Sequence, residues 1–306
     1  MPSVAVTALT FQRPTGLRRL LDSLAALDVP EGVDVRLVVV DNDPEGSGRA
    51  VLEAWPAPGW MKVVYEVEPR RGIATARNTA VRLAAGADFV AFIDDDEVAD
   101  RRWLAELLAA QEATGADVVQ GLVVSEFEQD PPAWVEEGGF FRDEPRPDLS
   151  PLHYANTNNT LVRAELLGDD PFDERYNLTG GSDTQLFARL LERGATIRWA
   201  QHAVVRETVP ASRVDPAWIV QRSYRGGLTQ SRVLVDVVGR SPYRMVKRVG
   251  AGVVGVARGG GLWLAGVARR HEATRLRGRE RAAYGAGQLA GLLGVRYEEY
   301  RRTHGS

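Results

Sequence analysis

Four consecutive carboxylates, Asp94, Asp95, Asp96 and Glu97, follow the apolar run FVAFI. Like charges this close repel one another, so the concentration is unfavourable unless a cation or hydrogen-bond donors offset it. Oxygen-only donors favour a hard divalent ion, magnesium or manganese, shared with the oxygens of a bound phosphate. On an extended chain Asp94 and Asp96 point the same way and can address one ion, while Asp95 faces the other side unless the chain turns. The same residues also read as an acidic loop capping a helix that begins near Arg101.

Three further groups carry chemistry-bearing types at useful spacings. In LVVVDND (37–43) Asp41 and Asp43 end another apolar run, where an Asp can accept hydrogen bonds from a nucleobase or ribose, or cap the next helix through the turn DPEGSG. In RRGIATARNTAV (70–81), Arg70 and Arg71 precede a glycine that opens a helix, a place where backbone N–H groups and the helix dipole favour anions. With Arg77 added, the set suits a diphosphate or ribose, with solvated arginines as the alternative. In TGGSDTQLFARL (179–190), Leu186, Phe187 and Leu190 make an apolar helix face and Asp183 lies on the same inward side. A first-turn Asp near the helix dipole stays ionised and can accept a proton, and N-terminal capping by Ser182 and Asp183 is the structural alternative.

The elements that must position these residues alternate. SVAVTAL (3–9) is a β-branched apolar run, and Leu17, Leu20, Leu21, Leu24 and Leu27 follow at helical spacing behind Pro14 and Thr15. VRLVVVDND with a helix near 47–55, KVVYE with a helix through 72–85, and DFVAFIDDDE with a helix through 101–114 repeat the pattern. Continuous apolar strands separated by helices predict an α/β, doubly wound, mainly parallel sheet covered on both faces, whose ligands sit beyond the carboxyl ends of the strands. Asp41, Asp43, Asp94, Asp95 and Asp96 all fall where apolar runs stop. Residues 124–155, rich in Pro, acid and aromatics, read as a long loop, functional or disordered. Its Trp134, Phe140 and Phe141, with Asn156, Thr157 and Asn158, are candidates for the acceptor side. NTNNTLVR predicts a strand, Ser182 opens a helix, ATIRWAQHAVVRE predicts two short strands, and the chain beyond residue 213 reads as helical and basic. The expected division is a catalytic domain over 1–210 and a helical basic region over 211–306.

Composition narrows the chemistry. The 306 residues include no cysteine, which excludes thiol catalysis, disulfides, zinc–thiolate sites and iron–sulfur clusters. With 44% apolar and 26% charged residues the composition is that of a globular protein. MPSVAVTALTF lacks a basic stretch followed by a long apolar core and runs into QRPTG, so no signal peptide is expected and the cytoplasm is the expected location. The net charge of −3 conceals a division: residues 1–205 hold 19 Lys and Arg against 34 Asp and Glu, net −15, and residues 206–306 hold 19 against 7, net +12. The acidic part suits metal ions and the basic part anionic surfaces or phosphates, unless the two simply attract each other.

Residues 249–268 (VGAGVVGVARGGGLWLAGVA) carry one charge, Arg258, and are long enough to cross a bilayer, but seven of them are glycine. That composition predicts a glycine-broken helical hairpin, packed on the domain or in peripheral contact with an anionic membrane among Arg244, Lys247, Arg248, Arg269 and Arg270. Trp218, Tyr224 and Trp263 are too scattered for a base-stacking platform, so nucleic acid is not an expected partner. No G-x-G-x-x-G follows the first strand and no G-x-x-x-x-G-K-[ST] occurs, which excludes the usual dehydrogenase and phosphate-loop readings. A nucleotidyltransferase on a similar sheet needs a lysine in a glycine-rich loop near the first strand, and the two lysines, Lys62 and Lys247, lie elsewhere. A catalytically inactive membrane-surface scaffold is the non-enzyme alternative.

In order along the chain, VTALTFQRPTGLRRLLDSL, VVVDN, GIATARN, FIDDDE, TNNTLVR, GGSD and a late QRSYRGG resemble the inverting family-2 glycosyltransferases of the GT-A fold, the succinoglycan-type exopolysaccharide transferases among them. The likeness covers roughly residues 3–230. It implies a non-processive, metal-dependent transfer of a sugar from a nucleotide diphosphate sugar to an acceptor hydroxyl on a glycan, a lipid-linked intermediate or a small molecule. By resemblance Asp183 is the catalytic base, Asp96 with Asp94 holds Mg2+ or Mn2+, and Thr10, Asp41, Arg71, Arg77, Asp94, Asp95 and Arg225 contact the donor nucleotide. Three departures stand out. Ser182 occupies the place of the family's Glu before the base. Glu207 or His202 stands in for a late metal-binding His. Gln221 and Arg225 are one residue too far apart, and lack the Trp, for the Gln-x-x-Arg-Trp of polymerising relatives.

Overall fold

The computed structural model describes residues 2–143, 146–239, 241–295 and 297. Along the chain run β1 (Ser3–Thr10), α1 (Pro14–Ala25), β2 (Asp34–Asp41), α2 (Arg49–Glu53), β3 (Met61–Val67), α3 (Ile73–Leu83), β4 (Phe89–Asp94), β5 (Glu97–Ala99) and α4 (Trp103–Thr114). There follow β6 (Val118–Phe127), α5 (Ala133–Gly138), β7 (Pro151–Leu152), β8 (Thr160–Arg163), α6 (Ser182–Glu192), β9 (Ile197–Val209), α7 (Pro216–Val238), α8 (Pro242–Ala268) and α9 (Glu272–Leu292). The described residues form two compact units: 2–124 with 143–207, and 125–142 with 208–297.

The nine strands of the described residues make one mixed sheet in the order β3-β2-β1-β4-β8-β6-β9-β5, with β7 paired to β9. β3, β2, β1 and β4 are parallel, and β8 pairs antiparallel with both β4 and β6. β1, β2 and β4 are mostly apolar and buried because helices cover them, whereas the edge strand β3 carries exposed Lys62 and Glu66. α1 buries Leu17, Leu20, Leu21 and Leu24 against Val4, Val6 and Leu37, as the leucine spacing requires. Where two short strands were expected after residue 195, β9 is one strand of 13 residues. Its exposed Gln201 and His202 interrupt the apolar pattern without interrupting the backbone ladder.

In the second unit, residues 133–138 of the expected loop are helical, and Trp134, Val135 and Phe140 pack with Ile219, Ala273 and Leu276 as its core. Trp134 and Phe140 are therefore spent on packing rather than free for an acceptor. α8 is continuous over 27 residues, not a broken hairpin. Its glycines at 252, 259 and 266 are tolerated because each lies against α9, where a Cβ on Gly259 would stand 2.4 Å from the Ala282 nitrogen.

Candidate active site

Register brings the strand-end residues together: across β1, Thr10 pairs with Asp41 of β2, and Leu9 with Asp94 of β4. β4 ends at Asp94, the chain turns over Asp95 and Asp96, and β5 begins at Glu97. The carboxylates thus do not alternate along an extended chain. Asp95 and Asp96 instead share one guanidinium, with Arg13 Nη1 3.1 Å from Asp95 Oδ1 and 3.1 Å from Asp96 Oδ2. Thr10 Oγ1 donates to Asp95 Oδ2 at 2.9 Å, so this threonine holds the turn. Gly16 lets α1 come this close, since a Cβ there would lie 2.6 Å from the Asp95 carbonyl oxygen. Arg13 was not singled out in the sequence; its only signal is its place directly before Pro14, the first residue of α1.

Crowding and burial show in the protonation of the turn. Burial pushes Asp94 up to about 7, with Arg77 opposing and Asp96, Asp95 and Glu207 adding to the rise. Burial pushes Asp95 up to about 6 against the pull of Arg13. Glu97 is 1% exposed, and burial followed by the Asp94 charge holds its carboxyl well above the usual range. Its Oε2 accepts from the Asp94 N–H at 2.9 Å, and its Oε1 is buried with no hydrogen-bond partner. Glu97 stands opposite Glu207 in the β5–β9 register, so of the two candidates for a late metal ligand β9 brings Glu207 to the turn. His202, five residues earlier and exposed, is not brought there. Among the described residues no three His, Asp or Glu side chains enclose a cation by themselves. The set is oxygen-only with an orphaned buried oxygen, which fits a hard ion that takes its remaining ligands from phosphate and water.

The α3 start is filled rather than open. Asn177 Oδ1 accepts the Thr75 N–H at 2.9 Å, and Asn42 Oδ1 accepts the Gly72 N–H at 2.9 Å. Gly72, at φ 155°, leaves 2.2 Å between an added Cβ and Asn177 Cγ, so only glycine fits. Two of the N–H groups at this helix start, those of Gly72 and Thr75, are thus taken by the protein's own asparagines. Arg70 pairs with Glu68 at 3.1 Å, and Arg71, exposed, places its guanidinium 5.2 Å from the centre of the Phe11 ring.

Arg77 points inward from α3. It is 7% exposed, lies beside the Asp94 charge, and donates through Nη1 to Ser182 Oγ at 3.1 Å. A cavity of about 10 Å³, room for roughly one water, adjoins Arg77, Asp94 and Thr157. Ser182 and Asp183 form the first turn of α6, which is anchored by buried Leu186, Phe187 and Leu190, and Asp183 Oδ1 accepts from the Thr184 N–H at 2.7 Å. Arg77 therefore joins the acidic turn to the α6 start across 105 residues of sequence.

Asp41 is fully buried. Its oxygens accept the N–H groups of Asp43 (3.0 Å) and Gly48 (2.7 Å) and the Tyr65 hydroxyl (2.9 Å), so it shapes the loop of residues 42–48. Asn159, at φ 131°, accepts from Trp103 Nε1 (2.8 Å) and donates to the carbonyls of Leu122 (3.0 Å) and Ala203 (2.8 Å). Its role in TNNTLVR is to tie α4, β6 and β9 together. Arg225 belongs to the helical unit, on α7, with its guanidinium 5.6 Å from the centre of the Tyr297 ring.

The model for glycosyl transferase family 2 matches residues 5–169. The succinoglycan biosynthesis protein ExoM of Rhizobium meliloti is 34% identical over 296 residues, covering 95% of this chain and 93% of that one. Glycosyltransferase AglE of Haloferax volcanii is 23% identical over 205 residues, 67% of this chain and 66% of that one. The crystal structure of S. aureus TarS 1-349 in complex with UDP shares the fold, with a TM-score of 0.54 at 18% identity over 96% of this chain and 92% of that one. A strand-end acidic turn on a mixed, GT-A-like sheet and this relatedness along nearly the whole chain lead to one conclusion: the protein is a glycosyltransferase and belongs to glycosyl transferase family 2.

Proposed function

We propose that the protein transfers a sugar from a nucleotide diphosphate donor to an acceptor hydroxyl with inversion at the anomeric carbon. The observation that carries this reading is the Arg77–Ser182 bond of 3.1 Å, which brings the α6 start to a guanidinium that also lies beside Asp94 of the acidic turn. Transfer with inversion needs those two things close together: a place where the leaving diphosphate's charge is stabilised and a base beside the attacking hydroxyl. Asp183 takes the acceptor proton on Oδ2, with Oδ1 held by the Thr184 N–H. Arg77 faces the developing charge of the leaving group, and Asp94, Asp96 and Arg71 line the diphosphate side. A divalent cation held by Asp96 and Asp94 would supply further neutralisation of that charge. Asp41 and Thr10 act from beneath, one by shaping the loop that meets the nucleobase and the other by holding Asp95. The name of the relative from Rhizobium meliloti points to an exopolysaccharide glycan as the acceptor class, and UDP, bound in the S. aureus TarS structure, is the first nucleotide to test. We place the reaction in the cytoplasm, the location the N-terminal sequence leads us to expect.

Two measurements on one variant test this. Asp183→Asn should reduce transfer by about 10²–10⁴-fold. Calorimetric binding of UDP with Mn2+ should stay within a factor of about three, because the variant leaves the acidic turn intact. Transfer at the wild-type rate would remove Asp183 as the base. Binding of none of UDP, GDP or dTDP would remove the donor assignment.

A further inference from the structure

α8 has the burial of its face inverted. A surface helix ordinarily buries its large apolar side chains and exposes its polar ones. Here the buried residues of a 27-residue helix are Gly252, Gly259 and Gly266, seven apart, seated on the backbone of α9. The large apolar side chains are turned outward instead: Val246 is 73% exposed, Val253 53% and Leu264 61%. At the helical rotation per residue, the outward apolar side chains from Val256 through Val253 and Leu264 to Tyr243 and Val254 cover an arc of about 160°. No charged residue falls within that arc, and Lys247 and Arg258 begin where it ends. α8 contains no Asp or Glu, and its charges, Arg244, Lys247, Arg248 and Arg258, are all positive, with Arg269 and Arg270 directly following.

We infer that α8 lies flat on an anionic lipid bilayer, with its valine and leucine face in the headgroup–acyl boundary and its basic row on the lipid phosphates. An amphipathic helix of this kind, basic on one side and apolar on the other, binds in the plane of such an interface. The 27 residues give a contact strip about 40 Å long. Crossing the bilayer would place Arg258 near the middle of the hydrocarbon and drag in α9, whose exposed Arg275, Arg279 and Arg281 would follow. Packing α8 against α8 of a second copy would set two helices with only positive charges side by side without a carboxylate between them. Charge complementarity therefore favours the lipid, and glycosyl transfer forms no part of the inference.

The full chain should co-sediment with vesicles of phosphatidylcholine plus phosphatidylglycerol and not with phosphatidylcholine alone, and rising salt should weaken the binding. Each basic side chain near such a surface is worth about fivefold, so Lys247→Glu with Arg258→Glu should weaken partitioning by at least about twentyfold. Val253→Asp with Leu264→Asp should abolish it. All four side chains are exposed, and unchanged circular dichroism and melting of the variants would tie the losses to the surface rather than to folding. Trp263 emission should shift to the blue on anionic vesicles, with Trp263→Phe as the control for the other tryptophans. Equal binding to neutral vesicles, no binding to either, or a dimer that Val253→Asp dissociates would each overturn the inference.

Discussion

Arg77 stands between two groups that transfer chemistry needs close together, Asp94 at the end of β4 and the α6 start through Ser182. Replacing it with Gln removes the positive charge while keeping most of the volume. Arg77→Gln should lower kcat/KM by about 10²–10³-fold, the scale of losing one preorganised charge-stabilising donor, and steady-state kinetics with the donor would show it. The acidic turn makes a prediction with a definite sign. Asp94 and Asp95 titrate at about 7 and about 6, above the usual carboxylate range, so the folded state keeps protons that the unfolded chain has already lost. Their contribution to stability is complete below the unfolded carboxylate pKa and disappears as the pH rises through those two values. With EDTA present, Tm should fall between about pH 5 and pH 8, and Asp94→Asn should flatten the fall. A Tm that rises across that window in both proteins would contradict the electrostatic account of the turn.

At the scale of elements, neighbouring glycines of α8 have opposite roles. Gly259 lies on the α9 backbone, whereas a Cβ on Gly260 would meet nothing within 4 Å. Gly260→Ala should stabilise the protein by about 0.5–1 kcal/mol through helix propensity. Gly259→Ala should destabilise it by about 1–3 kcal/mol through overpacking against backbone that cannot move aside. Urea unfolding of the pair separates the two causes, because propensity alone would make both changes stabilising. Asn159 does similar work in the sheet unit, where Asn159→Ala would leave the Trp103 N–H and two carbonyls without their partner, at a cost of at least about 2 kcal/mol.

At the scale of the whole molecule, net charge divides along the chain at −15 over residues 1–205 and +12 over 206–306. Most of the candidate site residues lie in the acidic sheet unit, and Arg225 lies in the basic helical one. If Arg225 holds the diphosphate as the family likeness implies, Arg225→Gln should weaken calorimetric UDP binding by about 10- to 100-fold, the value of one charged hydrogen bond. Unchanged UDP affinity would confine donor recognition to the sheet unit.

Strands β1 to β4, the leucine-faced α1 and the place of each acidic group at a strand end were determined by the sequence itself, because hydrophobic period and strand-end position are local properties of consecutive residues. The tertiary structure alone decided which partners those groups meet. Arg13 reaches Asp95 and Asp96 across 82 and 83 residues, Arg77 reaches Ser182 across 105, and Asn177 closes the α3 start across 102. It also decided the sense of the glycines in α8, which composition reads as breaks and packing turns into a seam. The reason is common to all of them: a hydrogen bond, an ion pair or a close backbone approach depends on distance in space, and separation along the chain does not encode that distance.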